Sequence, residues 1–372
     1  VRPRRAALLA AFAALACARE PRGPCEPAPT PGQLGSVCGF ENPEDLAFVP
    51  TAGVLLVSQM RHPGGGGGSL AALVLGAAGE PVGAPRRLWP PPAGAGAADG
   101  ATGVGDPACT QPPAADRFAP HGLALGGPAA GGELPVAVVG HGAREAVELF
   151  ALRGAGEAAA LRWTGCVPLP PHAIGNDVVL AADGGLLVTN YQPALGGLRG
   201  LYYTVAGGLG YPTGEVLRWR GGRWEPVPGT RGANPNGLLV LPGGARLAVA
   251  FSGARALALR PLGPEGGAAR DLALDGHPDN LAWSARGTLL VPLHTSGFGF
   301  LRCRFGRGPC ASPWTLLEVD PANGKAASRL VHDGRELGAV SSVAEVGERL
   351  YLGAVFDDRI GLWHEPRPVR AR

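Results

Sequence analysis

The chain has little net charge, no zinc-ligand spacing and no nucleophile elbow, and each absence closes a class of function. Its formal charge is +3 over 372 residues. Arg2, Arg4 and Arg5 at the N-terminal end match that excess, so the remainder is nearly neutral and carries no nucleic-acid footprint. Neither CxxC nor HExxH occurs, which removes the common zinc sites. No G-x-S-x-G elbow is present, so a serine hydrolase is disfavoured. Gly297-Phe-Gly299 is not followed by the third glycine and helix that a dinucleotide or phosphate loop needs.

The apolar run from Ala6 to Ala16 is too short to span a bilayer. Behind Arg-Pro-Arg-Arg it reads as a secretory signal over residues 1–16. Cleavage after Ala14-Leu15-Ala16 would leave Cys17 first, as in a bacterial lipoprotein, although Ala14 stands where such signals usually carry Leu. Lipidation of Cys17, with a membrane tether, and free secretion both stay open. Either way the chain is expected to be exported, to the periplasm or the cell surface. Residues 17–37, rich in Pro, Gly and Ala, read as a linker. The folded body is expected over 38–364 as a single domain and a monomer. Residues 365–372 read as a solvated basic tail.

With Cys17 set aside, six cysteines remain, at 25, 38, 109, 166, 303 and 310, and an oxidising compartment would permit disulfides. Cys303 and Cys310 are close enough to staple one loop. Spacing leaves the other pairings open.

What the chain has in abundance is glycine and proline, 61 and 38 residues, about 27% of the total. In a patternless sequence this would indicate disorder. Here they punctuate regular apolar runs, the pattern of many short strands joined by tight turns. Six times a polar pair precedes an apolar strand, and in most copies a glycine-containing turn and a second apolar strand follow. The pairs are Glu44-Asp45, His121-Gly122, Asn176-Asp177, Asn236-Gly237, Asp279-Asn280 and Ser341-Ser342. Intervening segments at 71–79, 145–154 and 214–222 supply outer strands. The expectation is an all-β, six-bladed β-propeller with four-stranded blades around a central calcium-binding channel. The segment 198–211 could form a short helix at the mouth of that channel.

Any one pair is well explained as turn chemistry. The set is not, because turns do not call for a Glu at 44, a His at 121 and carboxylates shared among units. Successive strand residues face opposite ways, so the pairs should form two layers. Glu44, Asn176, Asn236, Asp279 and Asn280 could offer oxygens to one hard divalent cation, best matched by calcium. Asp45, Asp177 and a backbone carbonyl, that of Leu123, could form a second, structural calcium site. Unpaired, these buried carboxylates would each cost several kcal/mol. His121, with His141 at the end of the same unit's second strand, could take a proton from water. The metal would polarise a carbonyl and stabilise the oxyanion. His294 ends the second strand of the fifth unit as His141 ends that of the second, and is read as pocket wall.

These residues resemble the paraoxonase family of arylesterases and lactonases, six-bladed calcium propellers. The resemblance lies in PEDLAF around Glu44, VSQMRHPG at 57–64, PHGLAL around His121, GHGAREAVELF from Gly140, Asn176-Asp177, Thr189-Asn190, Asn236-Gly237, Asp279-Asn280, and SVAEV with YLGAVF near the end. It implies a catalytic calcium on Glu44, Asn176, Asn236, Asp279 and Asn280, and a structural one on Asp45, Asp177 and the Leu123 carbonyl. It also implies a His121–His141 dyad with Asp279 as the alternative base or nucleophile, and a pocket containing Met60, Arg61, His62 and Phe356. The substrate would be a small-molecule lactone or aryl ester. Two features depart from the pattern: no cysteine lies beyond Cys310 to clasp the ring, and Tyr191-Gln192 stands where the family carries Asp-His. A gluconolactonase-like sugar lactonase, with one metal and no histidine dyad, and a non-catalytic, calcium-stabilised binding propeller on the cell surface are the rival readings.

Overall fold

Alternation along the strands sets the architecture. Val54 and Leu56 of one strand face one neighbouring layer, while Leu55 and Val57 face the other, and all four are buried. A strand covered on both faces reads as a continuous apolar run, as VLLV does here. The computed structural model describes residues 23–26, 30–60, 67–92, 104–129, 131–306 and 311–366. They form six small sheets in a ring, a six-bladed β-propeller.

Each blade is an antiparallel meander entered from its innermost strand. Those first strands are Pro43–Val49, Ala119–Leu125, Ala173–Leu180, Pro235–Val240, the pieces His277–Pro278 and Ala282–Trp283, and Val340–Val346. Every polar pair noted in the sequence lies on one of them or between the two pieces of the fifth. Six hydrophobic clusters fill the six junctions between successive blades. Trp163, Phe118 and Phe150 sit between blades 1 and 2, and Trp314 with Leu337 between blades 5 and 6. The ring has no single central core, so its middle is left to polar groups.

The ring closes through Leu34–Cys38, which pairs antiparallel with Arg359–His364 as the outermost strand of blade 6. Residues 34–37 are therefore part of the propeller and not of the linker in which composition placed them. Hydrogen bonding between strands at opposite ends of the chain does the work for which no C-terminal cysteine exists. A disulfide, Cys25–Cys38, ties the segment before this strand to it, and Cys109–Cys166 fastens the extra strand Val104–Gly105 to blade 2. Cys310 lies outside the described residues, as do Cys17, Arg61 and His62.

Two helices interrupt the meanders. Helix α1, Gly197–Gly208, follows blade 3's second strand. Its Tyr202 is largely exposed, as is Tyr211 just beyond it. Helix α2, Gly297–Phe305, begins at the glycine after which the sequence indicated no helix. Ser296 caps it, its Oγ accepting from the Gly299 amide at 3.0 Å, which satisfies one of the free N–H groups of the first turn. An open groove of about 360 Å³ runs along α1 between Leu195, Leu198, Arg199, Tyr202 and Tyr203, none of which belongs to the axial set.

Candidate functional site

The axial residues converge because each innermost strand carries an irregularity at its polar pair. Register shifts fall at Pro43/Asp45, Pro120/Leu123, Gly175/Val178, Pro235/Leu238 and Val340/Ser342, and in blade 5 the strand breaks around Asp279-Asn280. A bulge releases residues from the alternation and re-aims side chains. The two layers expected from strict alternation are thus a pattern of bulges.

Contacts between neighbouring pairs run round the whole axis. Asp45 Oδ2 accepts from the Leu123 amide of blade 2 at 2.8 Å, and Asp177 Oδ2 from the Leu238 amide of blade 4 at 2.7 Å. Gly122 lies so close to blade 3 that an added Cβ would stand 2.6 Å from the Asn176 carbonyl oxygen and from the Asp177 Cα. The Gly237 amide donates to the Asp279 carbonyl at 3.3 Å and the Asn280 amide to the Ser341 carbonyl at 3.0 Å. Ser341 Oγ donates to the Glu44 carbonyl at 2.6 Å, which returns the circuit to blade 1. Acidic second members in blades 1 and 3 therefore reach forward, while glycines in blades 2 and 4 let the next backbone approach. Gly122→Ala is expected to cost roughly 1–3 kcal/mol by overpacking against backbone that cannot yield. Urea unfolding of the variant measures this, and an unchanged midpoint would show that the junction is loose.

Within this circuit Glu44, Asn176, Asn236, Asp279 and Asn280 are all buried, on the innermost strands or between the two pieces of the fifth. Glu44 Oε1 accepts from Asn280 Nδ2 at 2.9 Å, which leaves Asn280 Oδ1 free. Glu44 Oε2, Asn176 Oδ1, Asn236 Oδ1 and Asn280 Oδ1 are buried acceptors without a donor. Such atoms are rare in folded proteins and call for an explanation. Four oxygens from four blades, with Asp279 as a fifth residue, fit a hard cation of calcium type. Among the described residues no three His, Cys, Asp or Glu groups form a metal cluster by themselves. The candidate set is completed only by amide oxygens.

Electrostatics agree with that fit. Burial, with the Asp45 and Asp279 carboxylates beside it, raises Glu44 well above the usual carboxylate range. Burial raises Asp45 to about 7 against the opposing pull of the Leu123 and Leu46 amides. Asp177 also rises, through burial and then through Asp45. So much acid in one dry place resists ionisation unless a cation compensates it.

The second proposed set looks different. Asp45 Oδ1 and Oδ2 accept from the Leu46 and Leu123 amides, both at 2.8 Å, and Asp177 Oδ1 and Oδ2 accept from Val178 and Leu238, both at 2.7 Å. Leu123 thus meets Asp45 through its N–H. Each of these carboxylate oxygens already accepts one backbone N–H, and the bonds to Leu123 and Leu238 clasp blade to blade.

His121 and His141 lie side by side, Nδ1 of the first 3.3 Å from Nε2 of the second, because Ala119 pairs with His141 in the ladder. His121 Nε2 is 3.4 Å from Glu44 Oε1. Burial first, then His141 and Arg304, lowers His121 to about 3, so it is a neutral imidazole at ordinary pH. His294 is buried, and its Nε2 lies 2.6 Å from Asp279 Oδ2. Its ring meets that of Phe300 at a tilt, with centroids 4.5 Å apart, and Phe300 meets Phe356 at 5.2 Å, so helix α2 walls one side of the site. Met60 is half-buried just past blade 1's second strand, its amide bonded to the Asn42 carbonyl.

Three nearby residues escaped the sequence reading of the site: Glu145, whose Oε2 lies 2.7 Å from His141 Nδ1, and Phe300 and Arg304 of α2. For Glu145 the signal was present, four residues after a histidine already singled out. Tyr191 lies near Asp279 and Arg304, and burial is the main reason it is raised to about 12.

No family model and no curated protein sequence matches the chain. Among solved structures, luciferin-regenerating enzyme aligns with a TM-score of 0.51 at 12% identity, over 91% of this chain and 98% of that one. A candidate gluconolactonase aligns at 0.49 and 17%, over 93% and 96%. The PQQ-bound aldose sugar dehydrogenase of Streptomyces coelicolor aligns at 0.49 and 18%, over 91% and 100%. At 12% identity, what the chain shares with luciferin-regenerating enzyme is the fold, a six-bladed β-propeller.

Proposed function

We propose that the protein is a calcium-dependent hydrolase of lactones and aryl esters, of paraoxonase type. The observation that carries this reading is the group of four donorless buried oxygens on four blades beside a histidine pair. Glu44, Asn176, Asn236, Asp279 and Asn280 would hold the ion. Bound there, calcium would polarise the carbonyl and stabilise developing negative charge. His121 Nε2 accepts the proton of the attacking water, and His141 supports it. Phe300 and Phe356 supply apolar wall against which an aryl or alkyl group packs. The disulfides Cys25–Cys38 and Cys109–Cys166 support an exported setting.

A single-metal reading, as in a sugar lactonase, is favoured by one observation. Asp45 and Asp177 already accept two amide N–H groups each, which offsets part of the cost of their burial without a second ion. Metal analysis separates one equivalent from two. The main test is turnover: purified protein with calcium is expected to hydrolyse a γ- or δ-lactone or phenyl acetate. Calcium-dependent melting with no turnover across such a panel would replace this reading with that of a binding propeller.

A further inference from the structure

We propose that Glu145 is a positioning residue that sets the tautomers of both histidines, so that Nε2 of His121 presents a lone pair to the site. The inference rests on the hydrolytic reading and deepens it by adding a third member to the pair.

A neutral imidazole has one N–H, and an ionised carboxylate can only accept. Glu145 Oε2 at 2.7 Å therefore places the proton of His141 on Nδ1. Nε2 of His141 is then an acceptor, and its neighbour at 3.3 Å, Nδ1 of His121, must be the donor. That leaves Nε2 of His121 unprotonated and facing the axial residues, 3.4 Å from Glu44. Without Glu145 the chain could run the other way, with the His121 proton on Nε2, and no base would face the water.

The same chain gives the incoming proton a destination. As water attacks a carbonyl, its oxygen forms the new C–O bond, the carbonyl π electrons move to oxygen, and the released proton binds His121 Nε2. The His121 Nδ1 proton passes to His141 Nε2. His121 ends neutral and His141 ends as the cation, paired with the Glu145 carboxylate. The charge therefore ends on His141, whose Nδ1 lies 2.7 Å from the Glu145 carboxylate that compensates it.

Glu145 is held for this task. Gly142 takes a φ of 101°, and a Cβ there would stand 1.8 Å from the Arg117 carbonyl oxygen, so only glycine turns the chain at this point. Arg144 makes a two-pronged pair with the buried Glu148, at 2.8 and 2.9 Å, and Trp163 Nε1 donates to the same carboxylate at 2.8 Å. The Leu169 amide donates to the Glu145 carbonyl at 2.9 Å. A group fixed by such surroundings orients its partner without reorganisation.

The test pairs turnover with a reading that needs none. Calcium-loaded protein with 15N-labelled histidine is expected to show His141 and His121 both as Nδ1–H tautomers in long-range 1H–15N spectra. Glu145→Gln, whose amide can donate to Nδ1, is expected to lose that pattern. For a hydrolysed lactone its kcat should fall roughly 10²-fold with KM within about twofold of wild type. Glu145→Asp should recover much of the loss. Wild-type spectra with Nε2–H on His141, or a Glu145→Gln variant with unchanged tautomers and kcat, would overturn the proposal. If the protein hydrolyses nothing, the reaction assignment fails while the spectra still decide the tautomers.

Discussion

Chelation of calcium is expected to abolish lactone hydrolysis and to lower the melting temperature by roughly 10 °C, with a larger fall at pH 8 than at pH 5. The size follows from linkage, since an ion present at about a thousand times its dissociation constant contributes on the order of 4 kcal/mol. In a chain of this length each kcal/mol moves the midpoint by a few degrees at most. The pH dependence follows from the buried carboxylates. Asp45 is raised from 3.8 to about 7, and Glu44 and Asp177 are raised as well. Without metal, the folded chain keeps protons that the unfolded chain releases, so stability is greatest below the unfolded value and is lost as pH rises from about 4 through 7. For Asp45 alone that loss is on the order of 4 kcal/mol. Calcium supplies the missing positive charge, so the loaded protein should lack the decline. Scanning calorimetry with and without chelator at both pH values measures it. Equal midpoints throughout, with activity retained, would remove the metal from the mechanism.

The sequence exposed those parts of the molecule that repeat. Asn176-Asp177 and Asn236-Gly237 marked the innermost strands because each precedes an apolar run of fixed length, and period and turn chemistry are local properties. A bulge is a property of register between two strands, so the way in which Asp279 and Asn280 could both serve the axis was not legible. Closure was hidden for a related reason. Leu34–Cys38 lies in Pro- and Gly-rich sequence, and its partner strand begins at Arg359. Helix α2 opens with Gly297-Phe-Gly-Phe, a weak helix former, and owes its existence to the Ser296 cap and to Phe300 packing on His294. The clasps made by Asp45 and Asp177 were not legible, because their amide partners at Leu123 and Leu238 lie on the next blade, far away in sequence.

His121→Gln is expected to lower kcat/KM for lactones by about 10²- to 10⁴-fold, the usual worth of a positioned base, while leaving calcium affinity and melting temperature nearly unchanged. Glutamine is close in size, and its amide can still hydrogen-bond towards His141 and Glu44, so the half-buried niche stays filled. It cannot take a proton. The variant therefore separates the base from the metal site, which Asp279→Asn could not do, because Asp279 belongs to the converging oxygens and also holds His294 at 2.6 Å. If Asp279 were the base or nucleophile, its variant would lose activity and metal together, and His121→Gln would keep most of its turnover. Steady-state kinetics on one lactone, run beside calcium titration of both variants, decides between the two. Activity of His121→Gln above about a tenth of wild type would transfer the proton-accepting role away from the dyad.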